Sequence, residues 1–64
     1  MYKGELLKQA RHEAGMSLST LSRVSGFTVR AISYWEAGKR TPRPANLRRL
    51  ADVLDKQPSD FEDN

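Results

Sequence analysis

Between Thr28 and Arg43 the chain collects side chains that can grip an anion or the edge of a base: Arg30, Ser33, Tyr34, Lys39, Arg40, Thr41 and Arg43, with Val29 beside them. If residues 29–37 are helical, an advance of about 100° per residue divides them cleanly. Arg30, Ser33, Tyr34 and Ala37 fall on one half of the wheel and Ala31, Ile32, Trp35 and Glu36 on the other, with Val29 at the boundary. The second half is apolar except for Glu36. The first offers a guanidinium, a hydroxyl and a phenol. Arginine forks onto guanine, and a Val or Ala methyl touches the methyl of thymine, so this face suits base edges. It also suits plain solvent, and the helix by itself does not separate the two. Catalysis has less to work with. Six serines are present, but the single histidine, His12, has no carboxylate partner at an arguable spacing, and no glycine-rich loop is placed to cradle phosphate. With no cysteine and one histidine, neither disulfide, metal site nor cofactor is expected, and the chain reads as a non-enzyme.

The elements that must carry these groups follow from the punctuation at Gly15, Gly26, Gly38, Thr41-Pro42-Arg43-Pro44 and Pro58. Leu7, Ala10 and Ala14 recur on one face of a first helix, Gly4–Ala14, which ends at Gly15. Ser17 is a natural cap for a second, Leu18–Ser25, with Leu18, Leu21 and Ser22 on its inner side. Thr28 caps the third. Pro44 opens a fourth, whose stripe Leu47, Leu50, Ala51 and Leu54 is the cleanest in the chain, with Asp55 as the residue that ends it. Pro58 to Glu62 adds a last turn, with Phe61 folded onto the core. No stretch alternates with period two, so no strand is assigned. The fold class is all-α, a bundle of four to five short helices. Two short helices joined through Gly26 form a helix-turn-helix over about residues 17–37, in which small Ser22 permits the crossing and Ile32 and Trp35 supply the inner face.

Sixty-four residues make one small domain, near the lower limit for folding without staples. No apolar run approaches the length of a membrane span, which points to a cytoplasmic protein with no membrane partner. The net charge of +3 conceals a division: residues 1–51 hold ten Lys/Arg against three Asp/Glu, or +7, and residues 52–64 carry −4. A basic body calls for an anionic partner. Residues 1–61 are expected to be the domain, and 62–64 an acidic tail.

Taken in order, Leu7-x-x-Ala10-Arg11, Gly15-Met16-Ser17, Leu21-Ser22, Ser25-Gly26-Phe27-Thr28, Ile32-Ser33-x-Trp35-Glu36-x-Gly38-Lys39-Arg40-x-Pro42 and Leu47-x-x-Leu50-Ala51-x-x-Leu54 resemble the Cro/phage-repressor helix-turn-helix family, the XRE group, over residues 4–61. The resemblance implies a five-helix bundle that inserts its third helix into the major groove of DNA. It implies base contacts from Val29, Arg30, Ser33 and Tyr34, and phosphate contacts from Ser17, Thr28, Lys39, Arg40, Thr41 and Arg43. Arg11 and Glu36 match a structural ion pair, and Trp35 a core position. Three residues depart from the family's pattern: Leu18 stands where glutamine is usual, Ser22 where alanine is, and Asp55 where glycine is.

The expected function is sequence-specific binding of double-stranded DNA by a transcriptional regulator of repressor type, in a prokaryotic nucleoid or encoded by a phage. A single domain reads few base pairs, so a palindromic operator and a homodimer, formed in solution or only on DNA, are expected. A contact around Val53, Pro58 and Phe61 is one place for the two copies to meet. The alternative is a protein-interaction role on the same scaffold, as in antitoxins or adaptors, with the acidic terminus as its seat.

Overall fold

Ser17 and Thr28 each close the first turn of a helix with their own side chain: Ser17 Oγ accepts from the Thr20 amide at 3.1 Å, and Thr28 Oγ1 from the Ala31 amide at 3.0 Å. These caps satisfy amides that no helical carbonyl reaches, and they fix where the second and third helices begin. The computed structural model describes residues 1–63. It contains α1 (Gly4–Glu13), α2 (Leu18–Ser25), α3 (Val29–Glu36) and α4 (Pro44–Leu54), followed by a 3-10 turn, Pro58–Phe61. The sequence places the ends of α1 and α3 one residue further on, at Ala14 and Ala37, which are the residues that cap them.

α3 packs against α1 on one side and α2 on the other, α2 also meets α4, and the 3-10 turn closes the space between α1 and α4. The core is continuous through Leu7 and Ala10 of α1, Leu21, Ile32 and Trp35, and Leu47, Leu50, Ala51 and Leu54 of α4, with Phe61 fully buried at its end. That outcome removes Phe61 from the expected contact between copies: its ring has no exposed surface, while Val53 and Pro58 remain partly exposed. On α2, Leu21 is fully buried as expected, whereas Leu18 and Ser22 are only partly covered. The small residue of α2 that is sealed from solvent is Ser25, one turn after Leu21 on the same stripe, and its Oγ accepts from the Phe27 amide at 3.3 Å. Ser22 acts on the turn instead. Its hydroxyl donates to the Phe27 carbonyl at 2.5 Å and so fastens the turn to the helix before it.

The turn between α2 and α3 needs a left-handed residue, and Gly26 supplies it at φ 82°. Asp55 ends α4 at φ 58°, and it is the only non-glycine residue at positive φ among the described residues. Aspartate tolerates that conformation less well than glycine does. The one strand-like feature among the described residues is an antiparallel bridge between Tyr2 and Glu62. Around it, the Lys3 amide donates to the Phe61 carbonyl at 2.8 Å, the Asp63 amide to the Met1 carbonyl at 2.7 Å, and Lys3 Nζ lies 3.1 Å from the Asp63 carboxylate. Residues 62 and 63 are therefore tied to residues 1–3 rather than trailing from the domain. The last residue of the expected tail, Asn64, lies outside the described residues.

Candidate nucleic-acid interface

Beneath the outer face of α3 sits its anchor. Arg11 of α1 donates from Nε to Glu36 Oε2 at 2.7 Å and from Nη2 to Glu36 Oε1 at 3.1 Å, a two-pronged pair, and from Nη1 to the Met16 carbonyl at 3.0 Å. Both side chains are more than nine-tenths buried. Charged groups this far from water are tolerable only when their hydrogen-bonding capacity is met. The Glu36 carboxylate holds the Arg11 guanidinium proton more tightly than usual, against the opposing effect of burial. One arginine thus joins the end of α1, the loop leading to α2 and the last turn of α3. This is the structural ion pair that the resemblance implies.

A second anchor escapes the sequence reading. The Tyr2 hydroxyl donates to the Trp35 carbonyl at 2.8 Å. Burial, helped by the nearby Glu36 charge, pushes its phenol up to about 12. Beside it Gly4 packs directly on the end of α3: a Cβ there would lie 2.6 Å from the Glu36 carbonyl oxygen and closer still to that of Trp35. Of the last carbonyls of α3, that of Trp35 accepts from the Tyr2 phenol and from the Gly38 amide at 3.3 Å, while Gly4 packs against them without a hydrogen bond. An N-terminal tyrosine next to a helix-opening glycine is a faint signal, which only the packing makes legible.

With its inner side held in three places, α3 turns the opposite side outward. Ile32 and Trp35 are buried, and the Trp35 ring meets Phe27 edge-on at 5.0 Å between centroids, so tryptophan belongs to the core and is no stacking platform. Val29 and Arg30 are exposed, while Ser33 and Tyr34 are partly covered. Arg30 Nη2 donates to the Tyr34 hydroxyl at 3.1 Å, and its guanidinium carbon lies 5.4 Å from the centre of the Tyr34 ring. Lys39 Nζ is 5.8 Å from the same ring, so one phenol gathers two cations.

The loop after α3 completes the surface. Thr28, Arg30, Tyr34 and Arg40 line one depression together with Ala31. Arg40, Thr41 and Arg43 line the adjoining groove, with Ala31, Trp35 and Asn46. The fold therefore brings Thr28, Arg30, Tyr34, Lys39, Arg40, Thr41 and Arg43 to one side of the molecule, separated in sequence by up to fifteen residues. Ser17 stands apart: its hydroxyl donates to Thr20 Oγ1 at 3.0 Å while accepting from the Thr20 amide, and it lines neither of these two depressions. Asn46 is an addition. It lies on α4 within the groove of Arg40 and Arg43, and the sequence hides it because a polar residue two positions into a helix has no distinctive pattern.

The family model described as helix-turn-helix matches residues 7–61, most of the chain. The chain belongs to the helix-turn-helix family. Its relatives are of the XRE/Cro type. The HTH-type transcriptional repressor RghR of Bacillus subtilis is 38% identical over 52 residues, which cover 80% of this chain and 38% of RghR, so the chain spans well under half the length of that relative. Among solved structures, SinR, described as the master regulator for biofilm formation and determined in complex with DNA, is 33% identical with a TM-score of 0.87, covering 94% of this chain and 97% of that one. The P22 c2 repressor in complex with a synthetic operator is 27% identical with a TM-score of 0.84, covering 92% and 89%. Tyr2 and Gly4 fall before the matched segment.

Proposed function

We propose that this chain is a sequence-specific, double-stranded-DNA-binding domain of a transcriptional regulator, acting as a repressor without catalytic activity. The observation that carries the reading is the outward face of α3. It bears an arginine and a tyrosine, adjoins a basic loop, and is fixed from behind by a buried ion pair. The DNA-bound state of SinR and of the P22 c2 repressor supports it. α3 enters the major groove, where Val29, Arg30, Ser33 and Tyr34 meet base edges. Lys39, Arg40 and Arg43 neutralise phosphates, with Thr28 and Thr41 donating hydroxyl protons and Ser17 at the opening of α2 approaching the backbone. Two copies on a palindromic operator, about 34 Å apart, give the specificity that one copy lacks. The cytoplasm is where such an operator is met.

Selection from a random duplex library yields the operator and its symmetry. Titration of the selected and a scrambled duplex at about 50 and 200 mM salt then separates the roles. The Arg30→Ala, Tyr34→Ala double variant should lose the preference for the selected site and keep binding to the scrambled one, whereas Lys39→Ala should weaken both alike. No binding to any duplex at the lower salt sinks the reading.

A further inference from the structure

The reading face of α3 is a set of hydrogen-bond donors. Arg30 has only N–H groups to offer. The Tyr34 hydroxyl already accepts from Arg30 Nη2 at 3.1 Å, so its own proton is free to point outward. Thr28 Oγ1 accepts from the Ala31 amide at 3.0 Å and likewise keeps a proton to give. Arg40, in the same depression, adds more donors.

The acceptors that other bases demand are absent from this helix. Adenine is read in the major groove by a side chain that gives and accepts together, as Asn and Gln do, and cytosine by a carboxylate; guanine, through N7 and O6, and thymine, through O4, are read by donors. α3 contains no Asn, Gln or Asp. Its one carboxylate, Glu36, is consumed on the buried side by Arg11. Asn46 belongs to α4 and shares its groove with Arg43, and Ser33 is the single hydroxyl on the face that is able to serve either way.

Spacing completes the case. Residues 30 and 34 are about one helical turn apart, roughly 5–6 Å. Arg30 leans along the helix until its tip lies 3.1 Å from the Tyr34 oxygen. Two donors at that separation match the rise between successive nucleotides of one strand, about 3.4 Å. We propose that Arg30 and Tyr34 act as one donor unit that selects a guanine whose neighbour on the same strand, guanine or thymine, also presents an acceptor in the major groove. Tyr34 holds the guanidinium in place through its ring and hydroxyl, and meets the second base with its free proton. The inference rests on the duplex-binding role set out above.

The test uses the library selection followed by binding to the selected duplex with 7-deazaguanine, which lacks N7, at the shared position. Enriched half-sites should share one guanine followed or preceded by G or T, and the deaza substitution should weaken binding about 10-fold. Tyr34→Phe should weaken binding to the selected duplex and lower the preference for guanine at that position about 5- to 10-fold. A merely structural tyrosine would move overall affinity and leave that ratio alone. Specific binding to sites with no common guanine, or an unchanged ratio in Tyr34→Phe, overturns the donor unit and leaves the DNA-binding role standing. Failure to bind any duplex overturns both.

Discussion

Each ion or phenol sealed against α3 has a measurable consequence. Glu36 and Arg11 are a pair in which each partner satisfies the other, so removing one charge leaves its mate stranded in the core. Glu36→Gln is expected to cost about 3–5 kcal/mol, the usual penalty for a buried charge without a partner. A domain of this size holds only about 3–10 kcal/mol in total, so urea unfolding of the variant should begin near zero denaturant. Replacing both residues by apolar ones of like volume should recover most of that loss, which distinguishes stranding from simple loss of attraction. Tyr2 makes a prediction in pH. Its phenol is raised from the ordinary 10 to about 12 by burial and by Glu36. Between those values the unfolded chain has released the proton that the folded chain still holds. The stability that the neutral phenol contributes is thus complete below pH 10 and is lost as pH rises toward 12. Tyr2→Phe removes the hydrogen bond to Trp35, worth about 0.5–1.5 kcal/mol, and with it the titration. Thermal melts at pH 8 and 11 should show the wild type ahead at pH 8 and the gap shrinking at pH 11, with Tyr34 common to both chains.

Among the elements, α3 matters most, and what fixes it is the mutual approach of its end and the start of α1. Gly4→Ala tests that approach. The added methyl meets the backbone carbonyls of Trp35 and Glu36, which are not free to swing aside as a side chain would be. A loss of at least about 1–3 kcal/mol is expected, which lowers the melting temperature by roughly 4–8 °C per kcal/mol in so small a domain. Gly4→Ala should also weaken binding to the selected duplex more than to a scrambled one, because the displaced end carries Tyr34 and the loop beyond it. An ordinary exposed helix glycine would instead be stabilised by the same change. This is also where the sequence stops being legible. The helices were readable because Ser17, Thr28, Pro44 and Gly26 act on their immediate neighbours, and the stripe from Leu47 to Leu54 carries its own period. Ser25 carries no such signal, because a small polar residue looks like a surface residue until the fold buries it. The Tyr2–Trp35 bond and the clasp between residues 1–3 and 61–63 join distant parts of the chain, and no local pattern announces a pairing across so long a separation. The candidate site was legible in its residue types. The coupling of Arg30 to Tyr34 and the inclusion of Asn46 were not, since both depend on how side chains lean and on where α4 passes.

At the scale of the whole molecule the charge is arranged as much as it is summed. The body carries +7 and residues 52–64 carry −4, and opposite charges from the two parts meet in pairs: Asp63 with Lys3, and Lys56 with Glu13. The cations proposed to face phosphate, Lys39, Arg40 and Arg43, have no carboxylate partner among the described ion pairs, and so remain available to displace counterions. Each phosphate so neutralised contributes about 0.9 to the fall of log K with log salt. Three per copy give a slope of about −3 on a duplex holding one half-site. With extents of 29 × 22 × 19 Å, one copy fills less than the roughly 34 Å between half-site centres, which leaves room for a second on the same face of the duplex. On a palindrome filled by two copies the slope should therefore approach about −5. Lys39→Ala should lower its magnitude by about 1 on the single half-site and by about 2 on the palindrome. Equal slopes on the two duplexes mean that one copy binds each, and the paired-copy reading of the operator is then wrong even if the domain still recognises its half-site.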